Sequence, residues 1–271
     1  MMKLHFIRIR NVVAIFTIIL LTACEEVIDI DLNSSDPVLV AEGVIDNESP
    51  AWIRLTYTTD YFETEQAKFE QGASVIISDN SGNSETLEYV SDGLYQGVNL
   101  IGINNDQYTI TIIIDGVEYK ASSKLFPPSE ILSVSFEKNE NQRPGQDESY
   151  IITIHFTDDP STNNYYLFKY WINGEVETNS YYLVDDAYYE NTGEIEYSPT
   201  RLIFELGDTV MIELYSIDKE TYLYYSELND TGGGMMGSSS TPYNPKSNFG
   251  SAVMGYFAAW TKVEHHATVE K

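Results

Sequence analysis

Gln107-Tyr108-Thr109-Ile110-Thr111-Ile112-Ile113-Ile114-Asp115-Gly116-Val117-Glu118-Tyr119-Lys120-Ala121-Ser122-Ser123 reads as a β-hairpin. Tyr108, Ile110 and Ile112 recur at every second position, which turns one strand face into a core. Asp115-Gly116 supplies the two residues of a tight turn, where both positions need a positive φ.

The same grammar extends towards the N-terminus. Strand-like runs cover residues 38–45, 52–58, 74–78 and 85–90. The last two flank Asp79-Asn80-Ser81-Gly82-Asn83, a second hairpin turn that also has a ligand-like look. Pro127-Pro128 cannot continue a hydrogen-bonded ladder and closes the segment. Short strands at this spacing predict an immunoglobulin-like or transthyretin-like β-sandwich over residues 37–128.

Towards the C-terminus, strands are expected at 150–157, 165–172, 177–184, 201–205 and 209–216, with Asn173-Gly174 as a hairpin turn. The period then changes. Thr221, Tyr224, Tyr225 and Leu228 share one helical face, Asp218 can cap the start, and Gly232-Gly233-Gly234 stops the helix. A loop from 231 to 248 and two final strands, 250–258 and 261–269, complete the pattern. Residues 129–271 are thus expected to form an antiparallel β-barrel or sandwich with one packed helix near 218–229, and the chain as a whole is mainly β.

Residues 1–23 stand outside this fold. Lys3, Arg8 and Arg10 form a basic start, followed by a short apolar run from Val12 to Leu21 and then Leu21-Thr22-Ala23-Cys24. A basic start, a short apolar core and small residues before a cut define a secretory leader. The apolar run is shorter than the roughly 20 residues that a spanning helix needs. Cys24, the chain's single cysteine, fits a lipobox, in which its thiol takes a diacylglyceryl group and its amine becomes the new N-terminus. Acylation leaves no thiol for a disulfide. Residues 24–36, with Glu25, Glu26, Asp29 and Asp31, read as an acidic tether.

Forty-two acidic residues against 15 Lys and Arg give a formal charge of −27, which argues against nucleic acid, whose phosphates need basic patches. The same charge repels anionic lipid surfaces, so membrane attachment falls to the lipid anchor. Twenty-one tyrosines, with many branched residues, suit strands and exclude long disorder.

Nearly end to end, the chain resembles the Bacteroidota outer-membrane lipoprotein family known as domain of unknown function 4249. The start Cys24-Glu25-Glu26-Val27-Ile28-Asp29-Ile30-Asp31-Leu32 and Leu39-Val40-Ala41-Glu42-Gly43-Val44-Ile45 carry the resemblance. So do Tyr61-Phe62, Gly93-Leu94-Tyr95, Tyr222-Leu223-Tyr224-Tyr225, Asn244-Pro245-Lys246-Ser247-Asn248 and Gly255-Tyr256-Phe257. Ala41 departs from the larger apolar residue expected there. The resemblance implies a surface-exposed lipoprotein acting beside a TonB-dependent outer-membrane receptor, with the acidic tether as its export tag. It offers no catalytic residues.

For chemistry the chain has little. There is no Gly-x-Ser-x-Gly elbow and no His-Glu-x-x-His, and His265-His266 should face opposite sides of a strand. Asp158, Asp159, Asp185 and Asp186 are the weak calcium candidates, as hard oxygen ligands in loops. A glycosidase needs two carboxylates about 5 to 9.5 Å apart, and the sequence singles out no such pair. No catalysis and no cofactor are expected. Recognition is sought at Tyr165, Tyr166, Tyr170, Trp171, Tyr181, Tyr182, Tyr188 and Tyr189, with core packing as the alternative. Met235 and Met236, in the Gly232–Gly237 loop, are the second candidate. The expected function is a non-catalytic ligand- or transporter-binding lipoprotein taking a glycan or peptide. A structural or adhesive surface protein and a polymer-acting hydrolase are the alternatives.

Overall fold

The computed structural model describes residues 36–59, 68–141, 148–190, 192–200, 202–231 and 243–270. Two units separate by compactness, Met1–Asp36 and Pro37–Lys271, and everything below concerns the second. Its first half holds β1 (Leu39–Asp46), β2 (Pro50–Tyr57), β3 (Ser74–Asp79), β4 (Ser84–Ser91), β5 (Leu94–Ile101), β6 (Gln107–Ile114) and β7 (Val117–Lys124). Its second half holds β8 (Ile131–Lys138), β9 (Tyr150–Thr157), β10 (Tyr165–Ile172), β11 (Glu175–Val176), β12 (Tyr182–Asp185), β13 (Glu194–Tyr197) and β14 (Thr209–Ile217). The helix α1 (Lys219–Thr231) and a last strand, β15 (Val253–Thr268), follow.

The hairpin read from sequence is present, with Gln107 opposite Lys124 and Ile114 opposite Val117. Its turn residues Asp115 and Gly116 take φ of 50° and 81°, and Asn173 and Gly174 take 53° and 85°. Positive φ at both central positions matches the twist of the flanking strands. At the other predicted turn, Asp79 Oδ1 accepts from the Ser81 and Asn83 amides at 2.9 and 2.8 Å, and Oδ2 accepts from Asn83 Nδ2 at 2.6 Å. The ligand-like look of that loop is the hydrogen bonding of the turn itself.

One large sheet runs β11-β10-β14-β15-β1-β2-β5-β4-β3-β6-β7, with β12 also on β10, and a small sheet runs β13-β9-β8. β4 lets the large sheet double back, because Ser84–Leu87 pair with β3 while its later residues pair with β5. Ala41, Ile53, Leu55, Tyr95 and Phe257 then meet Val75, Ile77, Tyr108, Ile110 and Ile112 in one core. In the second half, Ile152, Ile154 and Phe156 of the small sheet pack on Phe168, Tyr170, Ile212 and Leu214. Period-two burial along β2, β6 and β9 produces both cores. The described strands close no barrel, and of the two forms expected for the C-terminal half, the sandwich is the one observed.

β15 joins the halves. Val253–Trp260 run parallel to β1, and Thr261–Thr268 run antiparallel to β14. Two strands were expected here, and one of 16 residues is found. Alternation vanishes between Phe257 and Thr261, where all five residues are buried, because one core lies beneath the sheet and the helix packs above it. Helix α1 lies where its period placed it, with Tyr224 and Tyr225 packed on Val44, Leu167, Tyr215, Ile217 and Ala258. Of the expected strand at 177–184 only β12 is found, with the two-residue β11 just before the expected span, and that at 201–205 is one bridge from Phe204 to Tyr150. β5, β8 and β13 were not foreseen. β8 and β5 both carry register shifts that break their alternation.

Glu85 fastens β5 from its neighbour β4. Its carboxylate accepts from the amides of Val98 (2.7 Å), Asn99 (3.0 Å) and Leu100 (2.7 Å). Partial burial works against the charge, yet the Leu100, Val98 and Asn99 amides outweigh it and hold the carboxyl below its usual value of 4.5. A depressed folded pKa stabilises above the unfolded value and is lost as pH falls through the folded one. Glu85→Gln is therefore expected to cost about 1 kcal/mol at pH 7, with the deficit closing as pH drops below 4.5. Thermal melts of both proteins at pH 7, 5 and 3 measure this, and a deficit independent of pH would contradict it.

Candidate functional site

Of the residues singled out in the sequence, Cys24, Glu25, Glu26, Asp29, Asp31, Met235 and Met236 lie outside the described residues. The tyrosines divide. Tyr166, Tyr170 and Tyr182 are core residues, 2%, 0% and 7% exposed, so the packing alternative describes them. Phe156 meets Tyr166 edge-on at 4.9 Å, and Tyr170 meets Tyr182 likewise at 5.0 Å. Burial, followed by the Asp158 hydrogen bond, pushes the Tyr166 hydroxyl far up. Tyr165 and Tyr181 face the helix instead, on Tyr222 at 5.0 Å and Tyr225 at 4.7 Å. Tyr189 packs partly against the second core, whereas Tyr188 is 83% exposed.

Trp171 lies on the outer face of the C-terminal half of the large sheet, opposite Met211, which in turn faces His266. The same face carries Lys169, whose ammonium sits 4.8 Å above the Tyr215 ring and 5.5 Å above Trp260. Burial pushes the Lys169 amine down, against the pull of Glu213. Glu213 itself accepts from Tyr215 OH at 2.5 Å and meets Lys262 at 3.1 Å, so its buried charge is compensated. His265 pairs opposite Ile212 and His266 opposite Met211, on opposite faces.

The four aspartates do not converge on one point. Asp158 Oδ1 accepts from Tyr166 OH at 2.7 Å and Asn164 Nδ2 at 3.1 Å. Asp159 binds the Ser161 amide and hydroxyl, Asp185 the Ala187 amide, and Asp186 the Asn164 amide. Burial, together with the neighbouring charges of Asp158 and Asp185, raises the Asp186 carboxyl. Asp159 and Asp185 thus serve their own turns, whereas Asp158 and Asp186 meet at Asn164. Among the described residues no group of three or more His, Cys, Asp or Glu is placed to hold a metal.

The cleft that the sequence did not reveal lies where the two halves meet. It has a volume of about 840 Å³, between the β6–β7 hairpin, the start of α1 and residues 246–250. A smaller pocket of about 220 Å³ shares Lys124, Phe126 and Tyr165 with it. Local structure positions each wall. Asp218 caps the helix, its Oδ1 accepting from the Thr221 amide at 2.8 Å, and so presents Lys219 at the rim. The Ser123 hydroxyl donates to Asp218 Oδ2 at 2.5 Å and accepts from the Ala259 amide at 2.8 Å, tying β7, β15 and the helix together. Asn248 binds both backbone groups of Phe257, accepting from its amide at 3.0 Å and donating to its carbonyl at 2.7 Å. That clamp fixes the segment bearing Lys246.

Four of the chain's 15 basic residues, Lys120, Lys124, Lys219 and Lys246, line this cleft, and all four are exposed. Lys120 pairs with Glu118 at 2.8 Å, and Lys124 sits 4.9 Å above the Phe126 ring. Among the described residues, Lys124, Lys219 and Lys246 form no ion pair. The acidic lining is Asp218, buried and hydrogen-bonded, and the exposed Glu220. The arrangement offers cationic donors beside two half-buried rings.

No curated protein matches the chain. The model of one protein family does, over residues 25–266, and it is described as a domain of unknown function, DUF4249. That match takes in both sandwiches, the helix and most of β15, so the chain belongs to the DUF4249 family.

Proposed function

We propose that this protein is a non-catalytic lipoprotein, anchored through acylated Cys24 on the cell-surface face of an outer membrane, which serves a TonB-dependent uptake system as an accessory ligand- or transporter-binding component. The observation that carries the reading is the leader ending in Leu21-Thr22-Ala23-Cys24, with Glu25, Glu26, Asp29 and Asp31 directly after the cysteine. The resemblance to outer-membrane lipoproteins found beside such receptors supports the partner. A lysine-lined cleft within the 300–1,000 Å³ span usual for ligand sites supports the binding role.

The test is a gentle-detergent pull-down of the full-length protein from its native membranes, with partners identified by mass spectrometry. A TonB-dependent receptor in stoichiometric amount is expected, and Cys24→Ser is expected to leave the membrane fraction almost entirely. Recovery of the protein alone, from cells where it is abundant and acylated, would overturn the transporter role and favour an adhesive one. Membrane retention of Cys24→Ser would overturn the anchor.

A further inference from the structure

We infer that the lysine-lined cleft binds an acidic oligosaccharide, one bearing carboxylate or sulfate groups, held by Lys124, Lys219 and Lys246 with the rings of Phe126 and Tyr165 beside them. This rests on the ligand-binding part of the function proposed above and names the ligand's chemistry.

Charge is the first argument. Acidic residues outnumber basic ones nearly threefold in the chain, yet lysines outnumber acids in this cleft. Three of them, carried by β7, the helix start and the segment after residue 243, lack an ionic partner among the described residues. Like charges brought together from separate elements repel one another, and a bound anion removes that cost. The one buried carboxylate, Asp218, is turned away from this task by Ser123 and Thr221.

The lining argues for a sugar. Gln107, Thr109 and Asn163 offer amide and hydroxyl groups, and Phe126 and Tyr165 offer half-buried rings against which a sugar face can lie. An extended peptide is recognised through backbone hydrogen bonds along a strand. Such a peptide would add to β7, the end strand that lines this cleft, and oligoglutamate tests for it. The volume, about 840 Å³, suits a short oligomer rather than a single ion.

The full chain, purified in a nonionic detergent, is titrated calorimetrically with oligogalacturonate, sulfated dextran fragments, neutral dextran fragments and oligoglutamate. Binding of at least one acidic saccharide at low salt is expected, weakening as salt shortens the screening length to about 10 Å at 0.1 M. Neutral dextran should not bind. Lys124→Glu, Lys219→Glu and Lys246→Glu should each weaken binding about fivefold or more, and the triple variant should abolish it. Lys138→Glu, which makes the same charge reversal on β8 away from the cleft and gives up the pair with Glu148, should bind as wild type. Galacturonate and sulfate arms separate the two anion types. Failure of both acidic saccharides, equal binding of neutral dextran, tighter binding of oligoglutamate, or equal loss in Lys138→Glu would each overturn the inference. Purified protein needs neither anchor nor receptor. Saccharide binding without a co-purifying receptor would therefore leave this inference standing while the uptake role falls, and the converse result would remove this inference alone.

Discussion

Gly255→Ala is expected to destabilise the protein by about 3 to 5 kcal/mol, close to the upper end for a single substitution. Gly255 sits inside β15 with φ of 93°, in parallel register with Ala41 of β1. A Cβ there would stand 2.1 Å from the Ala41 carbonyl oxygen and 2.9 Å from its carbon. Both are backbone atoms, so no side chain can rotate away, and the β1–β15 pairing must part. That pairing is the seam through which β15 carries one sandwich into the other. Against a total stability of about 5–15 kcal/mol, the melting temperature should fall by about 10 °C or more. Gly116→Ala isolates the conformational part. Gly116 also has a positive φ, 81°, but nothing within 4 Å of its Cβ position, so about 1 kcal/mol is expected. Thermal or urea unfolding of the two variants decides the matter, and equal costs would mean that the close approach at Ala41 is not there.

Asp218→Ala is the second large effect, at about 3 kcal/mol. The substitution removes the helix cap on the Thr221 amide, worth about 1 kcal/mol. It also leaves the buried Ser123 hydroxyl without its acceptor, which costs about 1–3 kcal/mol. Asp218→Asn keeps an oxygen for Thr221 and should cost less. The pH dependence is distinctive. Burial raises the Asp218 carboxyl above its ordinary 3.8, although Ser123 and Thr221 oppose this. Its contribution is therefore full below the unfolded pKa and shrinks as pH rises through the folded one. The asparagine variant has no such loss, so its deficit should narrow with rising pH across that window. Urea unfolding of wild type and both variants between pH 3 and 7 measures it. A deficit that widens with pH would show that the charged carboxylate, not the neutral one, is favoured in the fold.

These two positions explain why parts of the sequence resemblance carry physical weight. Gly255 is the first residue of Gly255-Tyr256-Phe257, and its φ and its contact with Ala41 admit no side chain. Ala41, where a larger apolar residue was expected, is fully buried in the first core, and its contact with Gly255 is made by its backbone. Asn248 closes Asn244-Pro245-Lys246-Ser247-Asn248 by clamping both backbone groups of Phe257. That clamp holds the motif against β15.

The sequence by itself determined what depends on local chemistry. Alternation in β2, β6 and β9, turn dipeptides with positive φ, and the 3.6-residue period beginning at Thr221 are short-range signals. Each follows from side-chain geometry within a few residues, so the mainly β class and the helix were legible before any coordinates. Only the tertiary structure decided which distant residues meet. It made one strand of β15 by burying Phe257–Thr261 on both faces, which erases the alternation that would have announced it. It sent Tyr166, Tyr170 and Tyr182 into the core, because adjacent residues on a strand face opposite ways and only packing chooses which, and it left Tyr188 outside on a short 3-10 turn after β12. It also gathered Lys120, Lys124, Lys219 and Lys246 into one cleft. Spacing alone places Lys120 and Lys124 on one face of β7, but Lys219 and Lys246 come from the helix start and residues 246–250, which the hydrogen bonds of Asp218, Ser123, Glu227 and Asn248 hold beside that strand.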